Sequence, residues 1–220
     1  MSLLDDLRKR RRAAKAAIKR LTASGGFKKI VARLRARVKS LTKRIKHLTQ
    51  PPPPSVMFDA VAVAAIPTDA KAVGCYVGPS VFTCDAVAKR CLKARRVKIS
   101  QAGMSKTPAD VVDIETGDAT IGTGTQWLKR KLAGEPMGGE AGKVPKVYTS
   151  ASTLKAFIAY AAAHGVPRSK YRIWSAHYGS GEHICGPDTC GFPQADATQW
   201  TDKALGRDLD QSKLKSSFWD

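Results

Sequence analysis

Residues 26–49 carry apolar side chains at Phe27, Val31, Leu34, Val38, Leu41, Ile45 and Leu48, alternately four and three residues apart. A helix gathers such positions into one stripe. Val31, Val38 and Ile45 take heptad position a, and Leu34, Leu41 and Leu48 position d. That choice of residues suits a parallel two-stranded coiled coil. Lys28, Arg35, Arg37 and Arg44 flank the stripe and would repel one another in a symmetric pair. A looser stripe (Leu4, Leu7, Ala14, Ile18, Leu21) comes before it, interrupted by Arg11 and separated by Ser24-Gly25-Gly26. Residues 26–49 are expected to pair with a second copy or another protein; the alternatives are that the first stripe folds back on the second as a helical hairpin, or that the segment is a solvated basic helix without a fixed partner.

The pattern changes after Pro51-Pro52-Pro53-Pro54, a run that cannot continue a helix and favours a stiff extended spacer. Short β-branched runs at 57–63, 71–77, 95–101, 110–116, 146–150, 172–178 and 197–202 read as strands. Helical patterns fit at 81–94, 124–133 and 151–164. Strands separated by helices argue for a parallel sheet. No helical pattern follows residue 178, so the expected fold is an α/β, incomplete TIM-like β/α barrel without its late outer helices. An open doubly wound sheet is the alternative. The expected organisation is a basic heptad-bearing helical segment (1–50), a proline-rich linker (51–55) and a barrel domain (56–220).

Charge changes the picture mainly at the N-terminus. The chain of 220 residues has a formal charge of +20, and residues 1–50 hold 17 of its 38 Lys+Arg with only two Asp. Such a block favours a polyanion: an anionic wall polymer, a membrane surface or nucleic acid. Nucleic acid ranks last, because Phe27 is the sole aromatic residue of the segment and base stacking needs rings. The start, MSLLDDLRKRRR, lacks the apolar core of a secretory signal, and no apolar run approaches the roughly 18 residues of a membrane span.

Five cysteines are too few and too odd in number for a disulfide scaffold. Cys185-Gly-Pro-Asp-Thr-Cys190 is the candidate pair, closing a small loop in oxidising surroundings. With His177 and His183 these thiols also offer zinc-ligand types. The spacing is not that of paired zinc knuckles, so no metal and no other cofactor is expected.

The candidate chemistry lies in ADVVDIETGDAT, residues 109–120. Asp113 and Glu115 are one residue apart, so on a strand they share a face, about 7 Å from each other. In β/α barrels the chemistry sits at the C-terminal ends of strands, where this pair falls. Two carboxylates there can cleave a glycosidic bond, one protonated and one ionised. Divalent-cation binding or a loop-capping role would also use such residues.

VVDIETGDAT resembles the Asp-x-Glu strand of family-25 glycoside hydrolases, the muramidases that cut bacterial peptidoglycan, and in particular the shortened domains encoded by phages of actinobacteria. Three further stretches agree in order: MFDAVAV with KAVGCYVG, YRIWSAHY, and ATQWTDKALGRDLDQS. Together they cover about residues 56–215. The resemblance implies that Glu115 is the general acid and Asp113 its partner, steadying the oxocarbenium-like state or the substrate's N-acetyl group. Asp59 and Asp210 match the outer acidic positions, with Asp208 competing for the second. Tyr148, Trp174, Tyr178 and Trp200 are the candidate sugar-stacking rings. His177 should face away from Tyr178, its neighbour on the strand, and His164 should cap a helix.

The expected function is therefore a phage-type glycan hydrolase that cleaves the β-1,4 N-acetylmuramic acid–N-acetylglucosamine bond of peptidoglycan. It would reside in a phage virion or host cell and act at the cell wall. The alternative is a non-catalytic tail or capsid-associated virion protein that keeps the hydrolase fold to bind wall glycan.

Overall fold

A computed structural model describes residues 2–23, 28–49, 52–78, 81–101, 109–135 and 144–220. The chain forms two compact units, Met1–Pro52 and Pro53–Asp220. The second therefore begins within the proline run, earlier than the sequence boundary at 56. The cause is visible: the Trp219 indole N–H donates to the Pro54 carbonyl at 2.7 Å.

The first unit contains helices α1 (Leu3–Ala23) and α2 (Lys28–Thr49). Leu7 of α1 is buried with Leu41 and Ile45 of α2, and Leu4 packs on the same cluster. The start of α1 thus meets the end of α2, which makes an antiparallel hairpin. Of the sequence readings, the fold-back covers Leu41 and Ile45 within one chain. Val31, Leu34 and Val38 are partly covered, and Ala14 is buried. Residues Ser24–Gly26, Phe27, Pro51 and the Leu48 side chain lie outside the described residues. Asp5 and Asp6 suit the positive N-terminal end of α1, and Asp6 pairs with Arg10 at 2.8 Å.

The second unit is a closed eight-stranded barrel in sequential order. Its strands are β1 (Val56–Asp59), β2 (Ala72–Tyr76), β3 (Arg95–Ser100), β4 (Val111–Ile114), β5 (Lys146–Ser150), β6 (Arg172–Ala176), β7 (Ala197–Thr201) and β8 (Asp210–Leu214). Strands β1 to β7 pair parallel with their neighbours. β8 runs antiparallel to both β7 and β1. Closure rules out the open doubly wound sheet. The antiparallel last strand also separates this barrel from an all-parallel β/α barrel. Outer helices α3 (Cys84–Arg90), α4 (Ile121–Leu132) and α5 (Leu154–Ala163) follow β2, β4 and β5. After β6 there is only the four-residue α6 (Pro187–Cys190) and short 3-10 turns. No helix among the described residues is long and apolar enough to cross a membrane.

Alternation sorts the strand residues into two cores. One lies between strands and helices, with Val73, Cys75, Val112, Val147 and Ile173 packed against Trp127, Leu128, Leu154 and Phe157. The other fills the barrel with Met57, Ala72, Val97, Ile99, Val111, Tyr148, Trp174, Ala197 and Leu214. The C-terminal turn closes the floor. Phe218 and Trp219 join the inner core, Arg95 lies 4.1 Å over the Trp219 ring, and Arg172 donates to the Ser217 carbonyl at 2.9 Å. With the floor sealed by apolar rings, the open end is the one where the parallel strands finish.

One disulfide is present, Cys75–Cys84, with Cα atoms 4.9 Å apart. It ties β2 to the first residue of α3. Cys185 and Cys190, the pair expected from sequence, are both free thiols. Their sulfurs instead sit in a cluster with two imidazoles, described below.

Candidate active site

Four acids meet at the open end of the barrel. Asp59 ends β1 and pairs in register with Asp210, the first residue of β8. Asp113 lies one residue before the end of β4, and Glu115 follows that strand directly. Strand periodicity aims Asp59 and Asp113 inward, because Met57 and Val111, two residues earlier, fill the inner core. The turn after β4 is built to present Glu115. Gly117 takes a left-handed backbone (φ 95°), the Asp118 N–H returns to the Glu115 carbonyl at 3.0 Å, and the Ala119 N–H to the Asp113 carbonyl at 3.1 Å. Thr120 then caps α4 through a reciprocal bond with Thr123.

The acids differ in exposure and in charge. Asp59 and Asp113 are buried, Asp210 is half-buried and Glu115 is exposed. Burial and the neighbouring Asp210 hold the Asp59 carboxyl well above its usual range, opposed by the Tyr76 hydroxyl, which donates to it at 3.4 Å. Burial, with help from Glu115, Asp118 and Asp59, pushes Asp113 up to about 8. Burial and Asp202 push Asp210 up to about 6, while a hydrogen bond from Gln199 resists. Glu115 is also raised, by partial burial and by Asp118, against a hydrogen bond from Tyr148. One oxygen each of Asp59 and Asp113, Oδ1, is buried without a hydrogen-bond partner. At neutral pH Asp113 therefore holds its proton while Asp210 is ionised, and burial shifts Asp59 in the same direction as Asp113. Acids with pKa values pushed apart can divide donor and base roles.

The expected rings divide differently. Trp174 is 1% exposed and its indole N–H is taken by Ser212 Oγ at 2.9 Å, so it is barrel core beneath the acids and offers no face to a sugar. Tyr148 packs edge-on against Trp174 at 4.7 Å and sends its hydroxyl to Glu115 and Tyr178. It holds the site rather than stacking on a ligand. Tyr178 is 47% exposed at the rim, and its hydroxyl accepts from Gln199 Nε2 at 2.8 Å. Trp200 falls in the β-bulge between Gln199 and Thr201, half-buried. Asp208 lies outside the site as an exposed ion-pair partner of Lys203. His177 turns away from Tyr178 to His183 and Phe192, and His164 caps α5, its ring bonding back to the Tyr160 carbonyl at 2.8 Å.

Comparison with known proteins adds little to this geometry. No protein-family model matches the chain, and no curated protein matches it. Two solved structures are similar. One is an uncharacterized B. stearothermophilus protein, 14% identical, covering 76% of this chain and 100% of that chain, with a TM-score of 0.49. The other is a family GH25 lysozyme from Aspergillus fumigatus, 15% identical, covering 73% of this chain and 93% of that chain, with a TM-score of 0.45. Likeness at this level assigns neither family nor activity.

Four residues of the site were not singled out from sequence: Tyr76, Asp118, Gln199 and Asp202. Tyr76 was findable, since it is two residues beyond Gly74 on the inner face of β2. Asp118 stands in the same TGD turn as the Asp-x-Glu pair. Gln199 and Asp202 act on Asp210 across the β7–β8 connection, a contact that no local pattern announces. A groove of about 580 Å³ runs outside β1, lined by Pro54, Phe58, Pro67, Lys71 and Leu205, and contains none of the four acids.

Proposed function

We propose that the barrel unit is a glycoside hydrolase acting on the β-1,4 glycan strands of bacterial peptidoglycan, with Glu115 as the proton donor. The observation that carries this reading is the convergence of Asp59, Asp113, Glu115 and Asp210 at one barrel mouth, with ionisation divided among them. The family-25 resemblance of the Asp-x-Glu strand supplies the substrate class. Glu115 is the exposed member of its pair and can reach a glycosidic oxygen. Asp113, directly below, keeps a proton to about pH 8, so the two carboxyls share at least one proton in the neutral range. That proton would pass to the leaving oxygen as the bond to the sugar's anomeric carbon breaks, and a water molecule would then add to that carbon and return a proton to the carboxylates. Ionised Asp210 would face the positive charge that develops on the sugar ring. Tyr178 would give the sugar a flat face, with its hydroxyl already oriented by Gln199.

A phage setting and cell-wall action follow from the same resemblance. The basic helical hairpin would then hold the enzyme to an anionic wall polymer, a membrane surface or another virion component. Its presence as a separate unit also supports a second reading, a wall-glycan binder that does not cleave. Incubation with purified actinobacterial walls separates the two. Glu115→Gln should keep its circular dichroism and lose about 10²–10⁴ in the rate of reducing-end release. Wild-type protein that sediments with walls and releases no reducing ends would replace the hydrolase with the binder.

A further inference from the structure

Beside the barrel mouth, four side chains outside the acid cluster converge on one point. His177 follows β6, His183 and Cys185 lie in the β6–β7 connection, and Cys190 ends α6. One ligand atom from each lies within 4.8 Å of all the others. We propose that these residues form a structural zinc site.

Chemistry and geometry both favour zinc. Two thiolates and two imidazoles are the S₂N₂ donor set that a tetrahedral zinc ion takes. With Zn–S near 2.3 Å and Zn–N near 2.0 Å, a tetrahedron spaces sulfur and nitrogen about 3.6 Å apart and two nitrogens about 3.3 Å. Cys185 Sγ lies 3.6 Å from His183 Nε2, and His177 Nδ1 lies 2.8 Å from the same nitrogen. The ion requires the two imidazoles to part by about half an ångström and the most widely spaced ligand atoms, up to 4.8 Å apart, to close by about one. Both thiols give up their protons on binding, so the completed site is neutral.

The surroundings orient the ligands. His183 Nδ1 sits 2.8 Å from the Gly181 carbonyl, which fixes that nitrogen as the donor and leaves Nε2 with a free lone pair. His177 is held from two sides: its backbone N–H donates to the Gln199 carbonyl at 2.9 Å, and its ring packs edge-on against Phe192 at 5.2 Å. The Cys185 N–H donates to Thr198 Oγ1 at 2.8 Å, and its carbonyl accepts from Gln194 Nε2, also at 2.8 Å. Gly191 turns the chain left-handed (φ 73°) directly after Cys190. A disulfide between Cys185 and Cys190 would use the sulfurs and leave the facing imidazoles unexplained; the ion uses all four. Because four protein ligands fill a tetrahedron, the site is closed to substrate. Its effect is to pin the β6–β7 connection, in a barrel that has no long helix there, next to rim residue Tyr178.

The test uses the full chain without a histidine tag, purified under reducing conditions. Elemental analysis should find one zinc per chain. After zinc removal, cobalt(II) titration should saturate at one equivalent and give the intense visible bands of a tetrahedral thiolate site. Cys190→Ser and His183→Ala should each lose stoichiometric cobalt binding, while Cys91→Ser, which changes a buried thiol elsewhere, should bind as wild type does. Chelating the zinc should speed proteolysis within residues 179–196. Wild-type protein with neither zinc nor a cobalt–thiolate band would overturn the proposal. So would a band that persists in both ligand variants. None of these readouts depends on wall hydrolysis, so failure of the hydrolase reading leaves the zinc site standing, and the reverse.

Discussion

At the scale of single residues, Asp113 shows how the site trades stability for chemistry. Its carboxyl goes from an ordinary 3.8 to about 8 on folding, chiefly through burial. The folded state therefore binds this proton more tightly than the unfolded state does. The contribution favours folding fully below about pH 4 and is lost as pH rises through about 8. Asp113→Asn removes the ionising group, so its melting temperature relative to wild type should climb between about pH 4 and pH 9, by an amount corresponding to a few kcal/mol. A difference that stays flat across that range would mean that Asp113 is ionised without cost in the fold. On the hydrolase reading, Asp210, raised to about 6, and Asp113, raised to about 8, would also set a window for catalysis. Wall hydrolysis should follow a bell with limbs near pH 6 and pH 8, and Asp210→Asn should remove the acid limb from whatever rate remains.

At the scale of elements, the strands were readable wherever they were β-branched and the helices wherever they were amphipathic. All seven strands expected from sequence are present, with ends shifted by a few residues. The eighth, Asp210–Leu214, went unread because DQSKL has no β-branched residue and a weak apolar alternation. It is a strand because β1 and β7 offer it pairing edges on both sides. The same limit hid the Cys75–Cys84 bridge, since only the placement of α3 against β2 brings the two together. The acids were legible as Asp-x-Glu, yet the assignment of Trp174 to core rather than site needed Ser212, a residue on the unread strand. Gly74 on β2 is an element-level constraint on the site. A Cβ there would lie 2.9 Å from the Asp59 Cβ and 3.1 Å from Ile99 Cδ1. On the hydrolase reading, Gly74→Ala should displace Asp59 and cut hydrolysis at least about tenfold, through kcat more than KM, because the change lies below the barrel rim. Unchanged kinetics would show that Asp59 tolerates the shift.

At the scale of the whole molecule, the helical hairpin alters what the heptad stripe implies. Leu41 and Ile45 are covered by Leu7 within one chain, so the end of the stripe is buried without a second copy. Full-length protein should sediment as a monomer at both low and high salt. A dimer that tightens as salt screens the basic flanks would restore pairing between chains. Leu7→Asp should uncover the stripe and lower helical content while leaving the barrel's near-ultraviolet signal unchanged. The antiparallel β8 has a consequence in time. It carries Asp210, pairs with β1 across nearly the whole length of the barrel unit, and is the last of the barrel's strands to be synthesised. A nascent chain can hold Asp59, Asp113 and Glu115 and still lack both the fourth acid and the closed wall that buries the others. The pKa differences among the acids can arise only once β8 has been made and has closed the barrel, so on the hydrolase reading a chain that still lacks β8 is chemically silent.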